Sequence, residues 1–168
     1  MNTTRRQAPD TIDTTDREVN ISRVIDAPRE LVFEAFTDVG HLSHWWGPDG
    51  FTTTTASFEF RVGGEWDFVM HGPDGTDYQE WISWTDIAVP ERIAMLHGER
   101  RGDPNAFETV LTFEPDGSAT RIDMRTVFPT KQLRDEAVEK YHAVEGGHQT
   151  LSHLADYVGE LLEKGDAG

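Results

Sequence analysis

Residues 130–162 read TKQLRDEAVEKYHAVEGGHQTLSHLADYVGELL, and the spacing within them decides the fold. Leu133, Ala137, Tyr141, Val144, His148, Leu151, Ala155, Val158 and Leu162 recur at alternating steps of four and three, which lines up one side of an α-helix. Charged residues such as Arg134, Asp135, Glu139, Lys140 and Glu160 fall off that stripe. The spacing predicts one long amphipathic helix from Thr130 to Leu162. Gly146-Gly147 should kink or thin it, since two glycines cost roughly 2 kcal/mol of helix propensity against alanine.

A helix with one apolar side needs a surface to bury it on, and the preceding stretch supplies a sheet. From Phe51 to Phe128 the hydrophobic period is mostly two. Turn signals at Gly63-Gly64, Asp74-Gly75, Pro90-Glu91, Gly102-Asp103-Pro104 and Asp116-Gly117 divide it into about six short strands. Strands so closely consecutive form an antiparallel meander, because parallel neighbours need long crossovers. Upstream, Val19, Ile21, Val24 and Ile25 suggest a first strand. Asp26-Ala27-Pro28 reads as a helix start, with Pro28 in the first turn and Asp26 accepting from free amides. Leu31, Val32, Ala35 and Phe36 then recur at helical spacing. After Gly40 a second short helix carries Val39, Leu42 and Trp46 on one face, until Gly47-Pro48-Asp49-Gly50 ends it. The expected architecture is α+β: a curved antiparallel sheet of about seven strands around a long C-terminal helix, with two short helices after the first strand. A sheet curled around one helix leaves a cavity between them.

The chain has 168 residues and no cysteine, so disulfides, thiolate metal sites and cysteine nucleophiles are excluded. Its formal net charge of −16 repels phosphate backbones and anionic headgroups, so neither nucleic acid nor a membrane is expected as a partner. No segment approaches the ~18 consecutive apolar residues of a membrane helix. Residues 1–16 read as a flexible tail and 17–164 as one domain, in a cytoplasmic monomer or weak homodimer. No G-x-S-x-G elbow, phosphate loop or dinucleotide fingerprint occurs, and no cofactor is expected.

Several motifs together carry a resemblance. They are Ile25-Asp26-Ala27-Pro28-Arg29-Glu30-Leu31-Val32-Phe33, Trp45-Trp46-Gly47-Pro48 with Gly50-Phe51, and Arg61-Val62-Gly63-Gly64 with Trp66 and Met70. Pro90-Glu91-Arg92-Ile93, Thr112-Phe113-Glu114 and Glu145-Gly146-Gly147-His148-Gln149-Thr150-Leu151 complete the set. The chain resembles the START-like, or SRPBCC, superfamily of helix-grip folds, in the branch named after the activator of the heat-shock-protein-90 ATPase, from Val19 to Leu162. The resemblance implies the helix-grip fold and three classes of function: ligand carriers, cyclase-type enzymes and a co-chaperone domain. Many relatives carry Gly-Trp where this helix has His148-Gln149, which implies a more polar cavity floor here.

Within that frame the candidate ligand-binding residues are Trp45, Trp46, Trp66, Phe68, Met70, Trp84, Tyr141, Val144, His148 and Leu151. Trp66, Phe68 and Met70 alternate along one strand and share a face. Tyr78, Glu80, Ile82 and Trp84 oppose Gln79, Trp81 and Ser83 on the next, and aromatics on both faces leave the inward one open. Each aromatic is a core filler or a pocket wall, since the fold needs both. Trp46 follows the apolar face of its helix, which makes Trp45 the rim candidate near the cavity mouth that the resemblance implies. His148 interrupts the apolar stripe and should face the sheet, either as a core histidine with a hydrogen-bond partner or as a base inside the cavity. Tyr141 on the same stripe is a second polar tip, with Arg125 and Glu80 as sheet-side partners or exposed residues. His41 and His44 have a spacing that can hold a metal, but no carboxylate motif accompanies them and a solvent-exposed helix end is the simpler reading. The leading expectation is reversible binding of a small apolar or aromatic molecule. A cyclase or hydratase using His148 and Tyr141, and a co-chaperone or interaction module, are the alternatives.

Overall fold

Each of the five turn signals marks a reversal of the chain. A computed structural model describes residues 13–167. In it, β2 (Thr52–Phe58), β3 (Glu65–His71), β4 (Asp77–Ala88), β5 (Arg92–Gly98), β6 (Phe107–Asp116) and β7 (Ala119–Val127) follow one another as antiparallel neighbours. β1 (Glu18–Ile25) pairs with β7, so the seven-stranded sheet runs β1-β7-β6-β5-β4-β3-β2. Asp116 pairs with Ala119 across the two-residue loop Gly117-Ser118. Gly117 has φ 63°, the left-handed conformation that tight hairpins require.

The two short helices are α1 (Arg29–Glu34) and α2 (Val39–Trp45). α1 starts directly after Pro28 without a side-chain cap, so the bond expected from Asp26 does not form. Asp38 caps α2 by accepting from the His41 amide at 2.9 Å. A short 3-10 turn, Thr15–Arg17, precedes β1. Residues 1–12 of the expected tail lie outside the described residues.

The long helix expected over 130–162 is two helices, α3 (Lys131–Glu139) and α4 (Ala143–Ala167). The Thr130 hydroxyl caps α3 by accepting from Leu133 N at 3.1 Å. The chain then unwinds: the Lys140 and Tyr141 amides both reach Glu136 O, at 2.8 and 3.3 Å, and His142 takes φ 56°. α3 packs on the 3-10 turn, whereas α4 crosses β1 and packs against α2. The glycine pair does not interrupt α4. Gly147 instead lets the helix backbone lie on the sheet, where a Cβ would come within 2.1 Å of Ile21 Cδ1 and 3.3 Å of Met124 Cε.

The break and the glycine contact set the face that α4 buries. Leu151, Leu154 and Val158 are its buried side chains, at 1%, 0% and 0% exposure. They meet Ile21, Ile93, Met95, Leu111, Phe113 and Ile122 from the sheet and Phe33, Phe36 and Leu42 from the short helices in one core. No helix among the described residues is long and apolar enough to cross a membrane.

Candidate functional site

The register of β3 on β4 settles which face is concave. Trp66 pairs with Ile82, Phe68 with Glu80 and Met70 with Tyr78, so Glu80, Ile82 and Trp84 share the buried face of Trp66. Trp81 opposes Asp67 on the convex side. Along every central strand, concave residues change from sealed to open in the same direction. β4 passes from Trp84 and Ile82, both fully buried, to half-buried Glu80 and exposed Tyr78. β5 passes from Ile93 through Met95 to half-buried His97, and β6 from Phe113 through Leu111 and Thr109 to half-buried Phe107. On β7 the buried Ile122 gives way to half-buried Met124 and Thr126. One end of the concave face is therefore closed core, and the other is open.

A carboxylate–imidazole pair stands at the open end. His97 Nε2 lies 2.6 Å from Glu80 Oε1, with side-chain exposures of 15% and 20%. Ile82 pairs with His97 and His97 with Phe107, which places Glu80 diagonally across from the imidazole on the same face. Rings surround it: Phe107 at 4.8 Å between centroids, and Trp46 and Phe68 both at 6.4 Å. The Thr109 and Thr126 hydroxyls, 3.3 Å apart, lie on the same side of the adjoining strands. Trp46 reaches this place because α2 ends at Trp45 and the next residue leaves the helix with φ −63° and ψ 133°. Its ring packs edge-on against Trp66 at 5.1 Å.

The sequence candidates divide accordingly. Trp66, Phe68, Trp84 and Leu151 are core, at 1% exposure or less, and Met70 is 9% exposed toward the open end. The tryptophan pair is reversed from expectation. Trp45 is core, with Nε1 donating to Ala35 O at 3.0 Å and its ring against Phe36, and half-buried Trp46 is the rim residue. Val144 is half-buried near the start of α4. Tyr141 is 61% exposed in the α3–α4 break, and His148 is also exposed, so neither faces the sheet. The helix turns its Gly147 backbone to β1 where His148 was expected, one residue and about 100° away. Arg125 pairs with Glu18 at the exposed edge.

Gln149 and two residues downstream on the same side of α4 hold the neighbouring loop. Gln149 Oε1 accepts from the Asp49 amide at 3.0 Å; His153 Nδ1 lies 2.9 Å from Gly47 O and Nε2 2.7 Å from Asp49 Oδ1. Tyr157 sits 2.6 Å from His41 Nδ1 and stacks on the His44 ring at 5.1 Å. Burial, with Asp38, Glu160 and Glu34 nearby, holds the Tyr157 phenol above its ordinary value, so it keeps its proton for that bond. Half-buried His41 thus anchors α2 to α4, while His44 is exposed, as a helix end would be, and stacks on Tyr157 from outside. No group of three or more His, Asp or Glu side chains among the described residues is arranged to hold a metal ion.

The convex face carries a separate shallow groove of ≈ 470 Å³, between β2–β4 and the β5–β6 loop. Thr54, Asp67, Gln79 and the Glu65–Arg101 ion pair border it. It lies on the opposite side of the sheet from the aromatic end, and Val69 and Trp81 line it beside those polar groups.

Comparison with known proteins comes to the same architecture. The family described as Activator of Hsp90 ATPase homolog 1-like protein matches residues 26–159. No curated protein matches. A crystal structure from Nitrosomonas europaea superposes with a TM-score of 0.80 at 21% identity, over 90% of this chain and 99% of that one. One from Chromobacterium violaceum gives 0.74 at 24%, over 84% and 96%. The AHSA1 protein of Silicibacter pomeroyi gives 0.68 at 20%, over 88% and 99%. At these identities the likeness is one of fold.

Proposed function

Since the chain belongs to the Activator of Hsp90 ATPase homolog 1-like family, whose fold sets a curved sheet against a terminal helix, we propose that it binds a small aromatic or apolar molecule at the open end of the concave face. The observation that carries this reading is the coincidence of openness with aromatic character. Half-buried Trp46 and Phe107 border the open end there, whereas the closed end is filled by the fully buried Trp66 and Trp84. Rings and Met70 make adaptable walls for an apolar guest, and the carboxylate–imidazole pair among them fixes its orientation. Met124 and Val144 extend the lining toward β7 and α4.

Binding should quench or shift Trp46 emission and raise the melting temperature, because mass action adds about 2.7 kcal/mol of stability at a hundredfold excess over Kd. Native mass spectrometry of freshly purified protein, followed by extraction and a titration panel of flavonoids, polyketides and fatty acids, tests it. The expected result is a saturable change in emission that Trp46→Phe removes. A panel that moves neither emission nor melting temperature overturns the reading.

A further inference from the structure

The pair at the open end also restricts what the guest must offer. A carboxylate only accepts hydrogen bonds, so in the 2.6 Å contact His97 Nε2 carries the proton and donates it to Glu80 Oε1. On the neutral ring this fixes the tautomer and leaves Nδ1 as a lone-pair acceptor. No partner occupies Nδ1 among the described residues. The ring lies between Phe107, Trp46 and Phe68, with its side chain 15% exposed. An acceptor held among aromatic walls is satisfied by a planar ligand carrying a hydroxyl.

We propose that Glu80 and His97 form the recognition pair for a phenol: the aromatic ring of the ligand packs among Trp46 and Phe107, and its hydroxyl donates to His97 Nδ1. Glu80 is a positioning residue, setting which imidazole nitrogen is free, and His97 is the group the ligand touches. This rests on the binding reading above and adds the chemical class. Specificity of this kind is strong in one direction. A site built to receive a hydroxyl proton is left with an unpaired buried acceptor when the ligand lacks one.

Calorimetric titration with 2-naphthol and with its methyl ether tests the proposal, because the ether keeps the ring and the oxygen but carries a methyl group in place of the donor hydrogen, and the double variant below separates the two changes. The wild-type protein should bind naphthol roughly tenfold more tightly, the equivalent of about 1.4 kcal/mol. Glu80→Gln should reduce that preference, since an amide can donate to Nε2 and turn Nδ1 into a donor. Glu80→Gln with His97→Phe should abolish it while both ligands still bind, and it leaves no unpaired carboxylate. Equal affinity of the wild-type protein for both ligands overturns the phenol proposal and leaves the binding reading standing; that comparison needs no variant to fold. A preference that survives the double substitution overturns it too, by placing the acceptor elsewhere. Absence of binding by both ligands overturns the phenol proposal, and the panel above decides the binding reading separately.

Discussion

Gly147 decides where α4 sits although it has no side chain. A Cβ there would lie 2.1 Å from Ile21 Cδ1, and Ile21 is only 3% exposed, so its end atom has little room to move. Gly147→Ala should therefore destabilise the fold by about 1–3 kcal/mol through overpacking, despite a gain of about 1 kcal/mol in helix propensity. Gly159→Ala on the same helix meets nothing within 4 Å and should stabilise by about 0.5–1 kcal/mol. Urea unfolding of the two variants checks the contrast, and equal shifts would show that the glycine contact is not what seats the helix. The same residue sets the buried face of α4 one step away from the stripe that the spacing predicts. A stripe through 141, 144 and 148 and one through 144, 147 and 151 differ by one step, and a glycine contributes no apolar side chain to count. Trp45 and Trp46 were exchanged for a related reason: α2 stops at Trp45, so helical spacing no longer governs the next side chain.

Pairing of strands explains both what could be read from the sequence and what could not. The five turn signals located every hairpin of β2–β7, because glycine, proline and aspartate act within a few residues. The recognition pair stayed hidden because β4 carries an irregularity. Register shifts between Trp84 and Asp86, so counting back from the Pro90-Glu91 turn sets His97 opposite Ser83 and turns Glu80 away from it. At the far edge of the sheet, β1 is fastened to β7 by Glu18, which accepts from Arg125 Nη2 at 2.8 Å and Nε at 3.1 Å, from Thr14 and from Asn20. These bonds to the charged form, Arg125 foremost, hold the Glu18 carboxyl at about 2 against an ordinary 4.5. A folded value below the unfolded one means the stabilisation is fully present above pH 4.5 and is lost as pH falls toward about 2. The Arg125 side chain is 50% exposed and screened by solvent, so the contribution is about 1 kcal/mol. Glu18→Gln should lose that amount at neutral pH and show a shallower decline across the acid range. Acid-unfolding curves that superpose on the wild type would refute the assignment.

For the whole molecule the dominant long-range term is its charge. At −16, repulsion among carboxylates opposes the folded state, while exposed pairs such as Arg92–Asp86 return little each. Raising salt from about 0.01 M to about 0.15 M shortens the screening length from about 30 Å to about 8 Å and weakens the repulsion more than the contacts. The melting temperature should rise by roughly 2–4 °C for each kcal/mol recovered. A fall on adding salt would show that local pairs outweigh net repulsion. Architecture at this scale was legible throughout, since periods of two and of 3.6 and the strand count specify a sheet against a helix. The α3–α4 break was not, because His142 adopts a left-handed conformation without a glycine to announce it.

The order of the sheet also has a consequence for synthesis. β2 to β7 each pair with a strand adjacent in sequence, so that meander can zip up hairpin by hairpin as it leaves the ribosome. β1 cannot take part, because Glu18 pairs with Val127 and Ile25 with Thr120. β1, made before the other six strands of the sheet, is the last to find a neighbour, and until the final hairpin has emerged the nascent chain carries Val19, Ile21 and Ile25 unpaired.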